Sequence, residues 1–271
     1  MGAYGLIRFN LGLFPEASQY FRTFVMVLAV VGIVYGAVVA LIQTDVKRLV
    51  AYSSVSHLGF VVLGTFAFTL QGMSGGVLQM VNHGLSTGGL FLLVGMLYER
   101  THTRDLGKMG GLAATMPALA GVFLFVALSS VGLPGLNGFI GEFLVLLGTF
   151  VVSKAFAVAA VVAVVLAAIY LLWAYQRMMH GGVAVEEHRH LPDLSLREYA
   201  ILVPIMAAIL LIGVFPQPLL DKIEPAARQA TRCVLLTERA APGVEAIHLA
   251  ADCSGTITND LVPFEDTAAR P

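Results

Sequence analysis

The sequence has 271 residues, of which 58% are hydrophobic and only 12% are charged. About a quarter of the residues in an ordinary soluble domain are charged, so this composition excludes a typical water-soluble fold and places most of the chain in lipid. The formal net charge is −1. A chain this close to neutrality gives no indication of nucleic-acid binding.

The first residues predict no complete membrane crossing. Residues 3–14 are apolar, but a hydrocarbon core of about 30 Å needs about 20 helical residues. We expect residues 1–19 to form the end of a preceding helix and an external loop, so that the chain starts within a larger architecture. Met1–Pro15 lacks the three regions of a cleavable signal peptide.

Six later stretches are long and apolar enough to cross, and they predict an all-α, polytopic transmembrane helix bundle. Residues 20–178 would form a five-helix unit, followed by a loop at 179–196 and a last transmembrane helix. The predicted spans are 20–42, 50–70, 76–98, 116–152, 155–178 and 197–214.

The stretch 116–152 is too long for one uninterrupted crossing, and glycines and a proline interrupt it. Pro134 removes a backbone donor and clashes with the preceding turn, while Gly132, Gly135 and Gly138 tolerate unusual dihedral angles. Backbone groups freed at membrane depth must line protein or water. The sequence therefore predicts a broken helix here.

Basic residues mark one side of the membrane, because alternate loops carry nearly all of them. The opposite loops hold little beyond Arg22 and Lys154. The positive-inside rule predicts a cytoplasmic loop at 179–196 and an extracytoplasmic tail at 215–271. The basic loop residues are Lys47, Arg48, Arg100, Arg104, Lys108, Arg177, Arg189 and Arg197.

The loop at 179–196 contains residues that make a metal site conceivable: His180, Glu187, His188 and His190. Their spacing is not that of a tight ligand set, so a solvated loop is the favoured interpretation.

The tail contains both cysteines, Cys233 and Cys253. An extracytoplasmic compartment permits a disulfide between them, although two unpaired thiols are the favoured alternative. The segment AARQATRCVLL could form a short surface helix, and the tail gives no catalytic signal.

Glu142 lies beyond the interruption in the fourth span, and an ionisable side chain at such a position is costly in lipid and indicates function. If Asn137 or Gly138 begins the second half-helix, Glu142 lies about one turn inside it. The positive helix end then favours the carboxylate, while burial favours the protonated acid. These opposed effects suit a proton-handling group, with a simple ion-pair role as the alternative.

Two histidines lie in neighbouring spans, each with polar residues on the same helical face. His57 follows Ser53 by four residues. A lone membrane histidine is often a packing residue, but two matching polar stripes favour proton transfer. The second stripe consists of Gln79, His83, Ser86 and Thr87.

Lys47 and Arg48 lie beside Asp45 at the start of the second span, where snorkelling to the cytoplasmic interface is the default. No pattern in the sequence indicates a Ser/His/Asp or Cys/His arrangement, a phosphate-binding loop, or a haem or iron–sulfur site. A self-contained hydrolytic or redox enzyme is therefore disfavoured, and proton movement is the favoured chemistry.

Three motifs resemble, in the same order, the M subunit of bacterial NADH-quinone oxidoreductase, which is respiratory complex I: QTDVKRLVAYSSVSHLGF, QMVNHGLSTGGLFLLVGMLYERTHTRD and GLPGLNGFIGEF. The match runs through FPQPLLD, near Asp221, and does not cover the tail. The resemblance implies an antiporter-like subunit of about fourteen helices in two inverted five-helix units, joined by a hydrated polar axis. Each unit of such a subunit has one broken helix, and only the second unit is present here.

By motif, Glu142 matches the family's acidic residue on the second broken helix. His57 and His83 match its central histidines, and Lys47 matches a lysine beside the axis. The resemblance implies that these residues form a proton-transfer pathway in a multi-pass subunit of an inner-membrane NADH:quinone oxidoreductase, a translocase of the respiratory chain. It implies no cofactor in this chain, since other subunits would bind NADH, FMN, iron–sulfur clusters and ubiquinone.

The family's first unit has no counterpart, and its central lysine is expected just before AYGLIRF. We expect either a separate polypeptide that supplies this unit, or a truncated product or fragment. The expected partners are this polypeptide, the other membrane-arm subunits of complex I and the lipid bilayer, with no nucleic acid. The alternatives are a subunit of an Mrp-type cation/proton antiporter or membrane-bound hydrogenase, and a purely structural fragment.

Overall fold

The computed structural model describes residues 1–182 and 185–239, with side chains described as far as residue 235. In these residues the regular structure is helical, apart from one isolated bridge between Asp45 and Asp105, so the predicted all-α fold is confirmed. The α-helices are α1 (Gly2–Gly5), α2 (Leu11–Leu13), α3 (Pro15–Tyr20), α4 (Arg22–Leu41), α5 (Val46–Phe66), α6 (Leu70–Thr101), α7 (Leu112–Thr115), α8 (Pro117–Val131), α9 (Asn137–Val152), α10 (Lys154–Met179), α11 (Leu196–Val214) and α12 (Gln217–Arg239).

Among the described residues, five helices are long and apolar enough to cross a membrane, namely α4, α5, α6, α10 and α11. The shorter apolar helices α8 and α9 occupy the fourth predicted span, which confirms the predicted break. Helix α5 begins at Val46, about one turn before the predicted start, because its first turn is polar and escapes a hydropathy criterion. Asp45 caps this turn by accepting a hydrogen bond from the Arg48 backbone N–H at 3.0 Å.

The break between α8 and α9 is made by glycines in left-handed conformations. Gly132 and Gly135 have φ angles of +84° and +94°, which glycine adopts without the strain that a Cβ would cause. The Leu133 N–H donates to the Leu128 carbonyl at 3.1 Å and closes the end of α8. The chain therefore turns at the break and restarts as a helix at Asn137.

Helices α5, α6 and α9 pack against one another and form the centre of the bundle, with α4 and α10 beside them. Small residues permit the close approach of α9 to α6: a Cβ built on Gly75 would lie 2.7 Å from the Cβ of Leu144. This packing places α9, which carries Glu142, against the two helices that carry His57 and His83.

The loops that carry the basic residues meet at one end of the bundle. The Val46 N–H donates to the Arg104 carbonyl, and the Gly111 N–H donates to the His180 carbonyl, each at 3.0 Å. All three basic loops therefore lie on one side, in agreement with the alternation in the sequence. We call this side the basic end.

Asp193 and Arg100 fasten three helices together at the basic end. The Asp193 carboxylate caps α8 by accepting from the backbone N–H groups of Ala118 and Leu119, at 2.8 and 3.0 Å. The Arg100 guanidinium donates to both carboxylate oxygens of Glu198 at 2.7 Å, and to the Asp193 carbonyl at 3.2 Å. Helices α6, α8 and α11 are thus linked by charged hydrogen bonds.

In the loop between α10 and α11, His180, Glu187 and His190 are exposed, whereas His188 is buried. In the described ranges, no three His, Cys, Asp or Glu side chains come together in a way that could hold a metal ion. The metal site weighed for His180, His188, His190 and Glu187 therefore gains no support.

The predicted extracytoplasmic tail begins with a helix longer than the short surface helix expected there. Helix α12 extends over Gln217–Arg239 and packs against α3 and α6. Cys233 lies in this helix, whereas Cys253 lies outside the described residues, and so does the proposed disulfide between them.

Candidate functional site

Glu142 lies in α9 about one turn after the break, where the sequence predicts it, and it is 5% exposed. Its Oε1 atom lies 2.8 Å from Nδ1 of His57 in α5. The same oxygen accepts a hydrogen bond from Nε2 of Gln79 in α6 at 3.1 Å. The carboxyl group therefore joins all three central helices.

His83 extends this arrangement along α6. Its ring centroid lies 5.9 Å from that of His57, and the two planes are inclined by 34°. Its Nδ1 atom lies 2.8 Å from Oγ1 of Thr87, one turn further along the helix. We call His57, Gln79, His83 and Glu142 the central polar cluster, and it brings together three of the four predicted site residues.

A second group of hydrogen bonds holds the start of α9 against α6 and α8. The Asn137 Oδ1 atom accepts from the Ser129 hydroxyl at 2.5 Å and from the Ser86 hydroxyl at 3.3 Å. The Asn82 side-chain amide donates to the Asn137 carbonyl at 2.7 Å. Ser129 and Asn137 are fully buried, so this group fixes the position of the half-helix that carries Glu142.

A small cavity of about 10 Å³ lies between the two groups, and this volume is about that needed by one water molecule. His57, His83 and Ser130 are among the side chains that line it. Within the described part of the chain, Nε2 of His57 and Oγ of Ser130 are buried without a protein hydrogen-bond partner. A water molecule in the cavity would satisfy such groups, because buried water typically forms about three hydrogen bonds.

Several residues of the site were missed by sequence reasoning. Gln79 was noted only as a neighbour of His83 and Asn137 only as a helix start, while Asn82 and Ser129 were not considered. Tyr170 of α10 is fully buried, and its hydroxyl has no hydrogen-bond partner among the described residues. In the sequence, a tyrosine in an apolar helix is indistinguishable from a packing residue. Asn137, the asparagine in GLPGLN, does indicate the second group of hydrogen bonds, because a buried side-chain amide requires hydrogen-bond partners.

Lys47 is not part of the central polar cluster. It is exposed in the first turn of α5, and the separation between positions 47 and 57 corresponds to about 15 Å along a helix axis. Its role in proton transfer therefore rests on the sequence resemblance alone.

A bundle of apolar helices, one of them broken beside a buried carboxyl group that contacts a histidine, defines a polytopic membrane protein of the antiporter-like class. The family model described as NADH:quinone oxidoreductase/Mrp antiporter, transmembrane, matches residues 1–167. The chain belongs to this family.

The curated relatives include subunits M of NADH-quinone oxidoreductase. The subunit of Mycobacterium tuberculosis (strain H37Rv) is 48% identical over 226 residues, which are 83% of this chain and 41% of the relative. That of Rhodobacter capsulatus is 47% identical over 225 residues, 83% of this chain and 44% of the relative. The chain thus spans less than half the length of these relatives.

Two solved structures share the fold. Respiratory complex I from Thermus thermophilus with bound NADH contains a chain that is 38% identical, with a TM-score of 0.81 over 85% of this chain and 49% of that one. The Mrp complex from Dietzia sp. DQ12-45-1b contains a chain that is 20% identical, with a TM-score of 0.69 over 84% of this chain and 51% of that one. The second likeness concerns the fold alone.

Proposed function

We propose that the chain is the C-terminal part of a proton-translocating membrane-arm subunit of NADH-quinone oxidoreductase, and that it moves protons through His57, His83 and Glu142. The identity with subunits M supports the assignment to this enzyme. The observation that carries the proton-transfer role is the 2.8 Å contact between His57 and the buried Glu142. In this proposal, quinone reduction in neighbouring subunits drives the transfer.

In this proposal each group has a distinct part. Glu142 is the terminal proton acceptor, because its Oε1 atom lies 2.8 Å from Nδ1 of His57, close enough for direct transfer, while Gln79 holds the same oxygen in place at 3.1 Å. His57 exchanges a proton with Glu142 through Nδ1, while its Nε2 atom is left for a water molecule on the other side of the ring. Protonation of one nitrogen and release from the other would carry a proton past the imidazole.

Coulomb repulsion between the two histidines supplies directionality in this scheme. Their rings are 5.9 Å apart, and two unit charges at about 6 Å repel by about 3 kcal/mol at an effective dielectric constant of about 20. A proton arriving at His83 would therefore shift a proton from His57 towards Glu142 by a factor of about 100.

The proposal assigns redox chemistry, with NADH, FMN, iron–sulfur clusters and quinone, to other subunits, which would be the chain's partners in the membrane. The family's first five-helix unit would come from the remainder of a longer chain or from a separate polypeptide. We also propose a multi-pass location in the inner (plasma) membrane, with the basic end in the cytoplasm.

The test is Glu142→Gln in the intact complex. We expect proton pumping and coupled quinone reduction to fall at least about tenfold, because glutamine cannot accept a transferable proton and a charge-assisted hydrogen bond to His57 is lost. Assembly should persist, since the amide has the same size. Glu16→Gln is the control, because Glu16 is exposed in α3. Normal pumping by an assembled Glu142→Gln enzyme would overturn the proposal.

A second candidate function is a cation/proton exchanger. The family model also includes Mrp antiporters, and the fold matches the Mrp complex. Membrane vesicles distinguish the two: dependence of proton movement on a sodium gradient supports the exchanger, whereas dependence on NADH oxidation supports the oxidoreductase. If the chain only stabilises a membrane arm, replacement of Glu142 would change neither the sodium-dependent nor the NADH-dependent proton movement.

A further inference from the structure

A second cavity, of about 420 Å³, opens at the basic end between the start of α5 and the end of α6. Its volume lies in the range of small-molecule sites, about 300 to 1,000 Å³. Charged side chains of both signs line it: Asp45, Arg48, Arg104 and Asp105. The cavity is remote from the central polar cluster, and the proposed proton transfer does not use it.

The two carboxylates face each other across a short backbone pairing. Asp45 and Asp105 form an antiparallel bridge, and side chains at directly opposed positions have Cβ atoms about 5 Å apart. One oxygen of Asp45 accepts from the Arg48 N–H at 3.0 Å, and one of Asp105 accepts from the Gly107 N–H at 2.8 Å. The remaining carboxylate oxygens accept no hydrogen bond from the described residues, although Arg177 lies near Asp105, since a Cβ on Gly107 would be 3.2 Å from Asp105 Oδ1 and 4.0 Å from Nη2 of Arg177. These oxygens are acceptors for a cation that donates hydrogen bonds.

Two guanidinium groups, those of Arg48 and Arg104, line the same cavity. The Arg104 guanidinium lies over the ring of Tyr98, with its carbon atom 4.3 Å from the ring centroid. Within the described ranges, neither Arg48 nor Arg104 forms an ion pair with a carboxylate. Guanidinium groups with unused donors are well suited to phosphate oxygens.

We propose that this cavity binds the headgroup of a zwitterionic phospholipid that carries phosphoethanolamine. The phosphate would lie between Arg48 and Arg104, and the primary ammonium between Asp45 and Asp105. A single anion such as inorganic phosphate would satisfy the guanidinium groups but would be repelled by the two carboxylates. A headgroup with separate positive and negative ends satisfies both the guanidinium groups and the carboxylates.

The surroundings indicate a lipid rather than a soluble phosphoethanolamine. The cavity lies at the ends of three apolar helices, α4, α5 and α6, and therefore at the level of a membrane surface. Ile42, two residues before the lining residue Thr44, is 70% exposed, and Val38, one turn earlier on α4, is 45% exposed. These side chains offer an apolar surface for the acyl chains. Tyr98 provides the aromatic contact that is common at the membrane interface.

The experiment uses the intact complex in phosphatidylcholine nanodiscs that contain a trace of photoreactive phosphatidylethanolamine or photoreactive phosphatidylglycerol. Cross-linked peptides are mapped by mass spectrometry. We expect phosphatidylethanolamine to label residues 44–48 and 98–105, and Arg104→Gln to lower this yield about tenfold through the loss of charge-assisted hydrogen bonds. Arg189→Gln is the matched control, because Arg189 is exposed at the same end and pairs only with Glu186 in the described structure.

The Asp105→Asn variant distinguishes binding of the phosphatidylethanolamine headgroup from binding of the phosphatidylglycerol headgroup. Removal of one carboxylate should lower phosphatidylethanolamine labelling and raise phosphatidylglycerol labelling, so that the preference reverses. Competition in the wild-type complex requires no variant: unlabelled phosphatidylethanolamine should suppress labelling, while soluble phosphoethanolamine and inorganic phosphate should not. Equal labelling by both lipids in the wild-type complex, or suppression by the soluble compounds, would overturn the proposal.

Discussion

Two contacts between an acid and a base in the described part of the chain are largely shielded from solvent, and they are built differently. His57 and Glu142 meet in the middle of the bundle, with side chains 5% and 6% exposed, at 2.8 Å. Arg100 and Glu198 meet at the basic end, with side chains 10% and 13% exposed, at 2.7 Å. Both link helices that are distant in sequence, but the second contains an arginine, which stays protonated, whereas the first joins an imidazole to a carboxyl group.

The number of satisfied hydrogen-bonding groups separates the two contacts further. Arg100 donates to both oxygens of Glu198 and to three backbone carbonyls, those of Met96, Pro192 and Asp193. In contrast, His57 retains a ring nitrogen with no partner in the described residues. The Arg100–Glu198 pair is therefore permanently charged and fully hydrogen-bonded, whereas the His57–Glu142 pair leaves one ring nitrogen unsatisfied among these residues.

Breaking the permanently charged Arg100–Glu198 pair should have the largest effect on the stability of the subunit. Arg100→Leu leaves the Glu198 carboxylate with only its capping contacts to Ser195 and should destabilise the subunit by about 3 kcal/mol, as loss of one partner from a largely buried pair does. We expect a lower yield of assembled complex and a lower Tm in a thermal unfolding assay. Arg189→Leu removes an exposed pair and should cost less than about 1 kcal/mol. Equal Tm values for the two variants would contradict this ranking.

A substitution in the His57–Glu142 pair should change the activity of the complex rather than the stability of the subunit. His57→Gln keeps an amide that can donate to Glu142 but cannot gain and lose a proton, so the Tm should change little. We expect coupled quinone reduction to fall at least about tenfold. A tenfold fall corresponds to an increase of about 1.4 kcal/mol in the free energy of the proton-transfer step. Activity equal to wild type in an assembled His57→Gln complex would show that the imidazole only packs.

The neutral donor to Glu142 should give the smallest effect. Gln79→Leu removes one hydrogen bond of about 1 kcal/mol and should lower pumping about fivefold, because the carboxylate loses one of its two stabilising donors. Gln79→Glu provides the opposing variant, since a second carboxyl group would compete with Glu142 for the proton. An identical pumping rate for Gln79→Leu and wild type would exclude a role for this donor.

Local features of the sequence were sufficient to predict the broken helix and the burial of Glu142. The interruption around Pro134 and the cost of a charge in lipid are properties of a short segment, and they require no knowledge of its neighbours. The late start predicted for α5 has a local cause as well, because the polar first turn after Asp45 lowers the hydropathy on which the prediction was based.

Pairing between helices could not be predicted in the same way. The hydrogen-bond contact of His57 with Glu142 depends on the register at which α9 lies between α5 and α6, and close packing at positions such as Gly75 constrains that register. The role of Asn137 as an acceptor for Ser86 and Ser129 depends on three separate helices. Such contacts follow from tertiary structure and leave no periodic signal in the sequence.

The left-handed glycine at the break has a mechanical consequence. A Cβ on Gly132 would lie 3.2 Å from Oε2 of Glu142, so the backbone of the bend forms one wall around the carboxyl group. A change in the angle between α8 and α9 would move this wall and thereby alter the dielectric surroundings of the acid. The conformation of the bend therefore contributes directly to the surroundings of the carboxyl group, and a substitution at Gly132 would disturb the turn of the chain and the acid together.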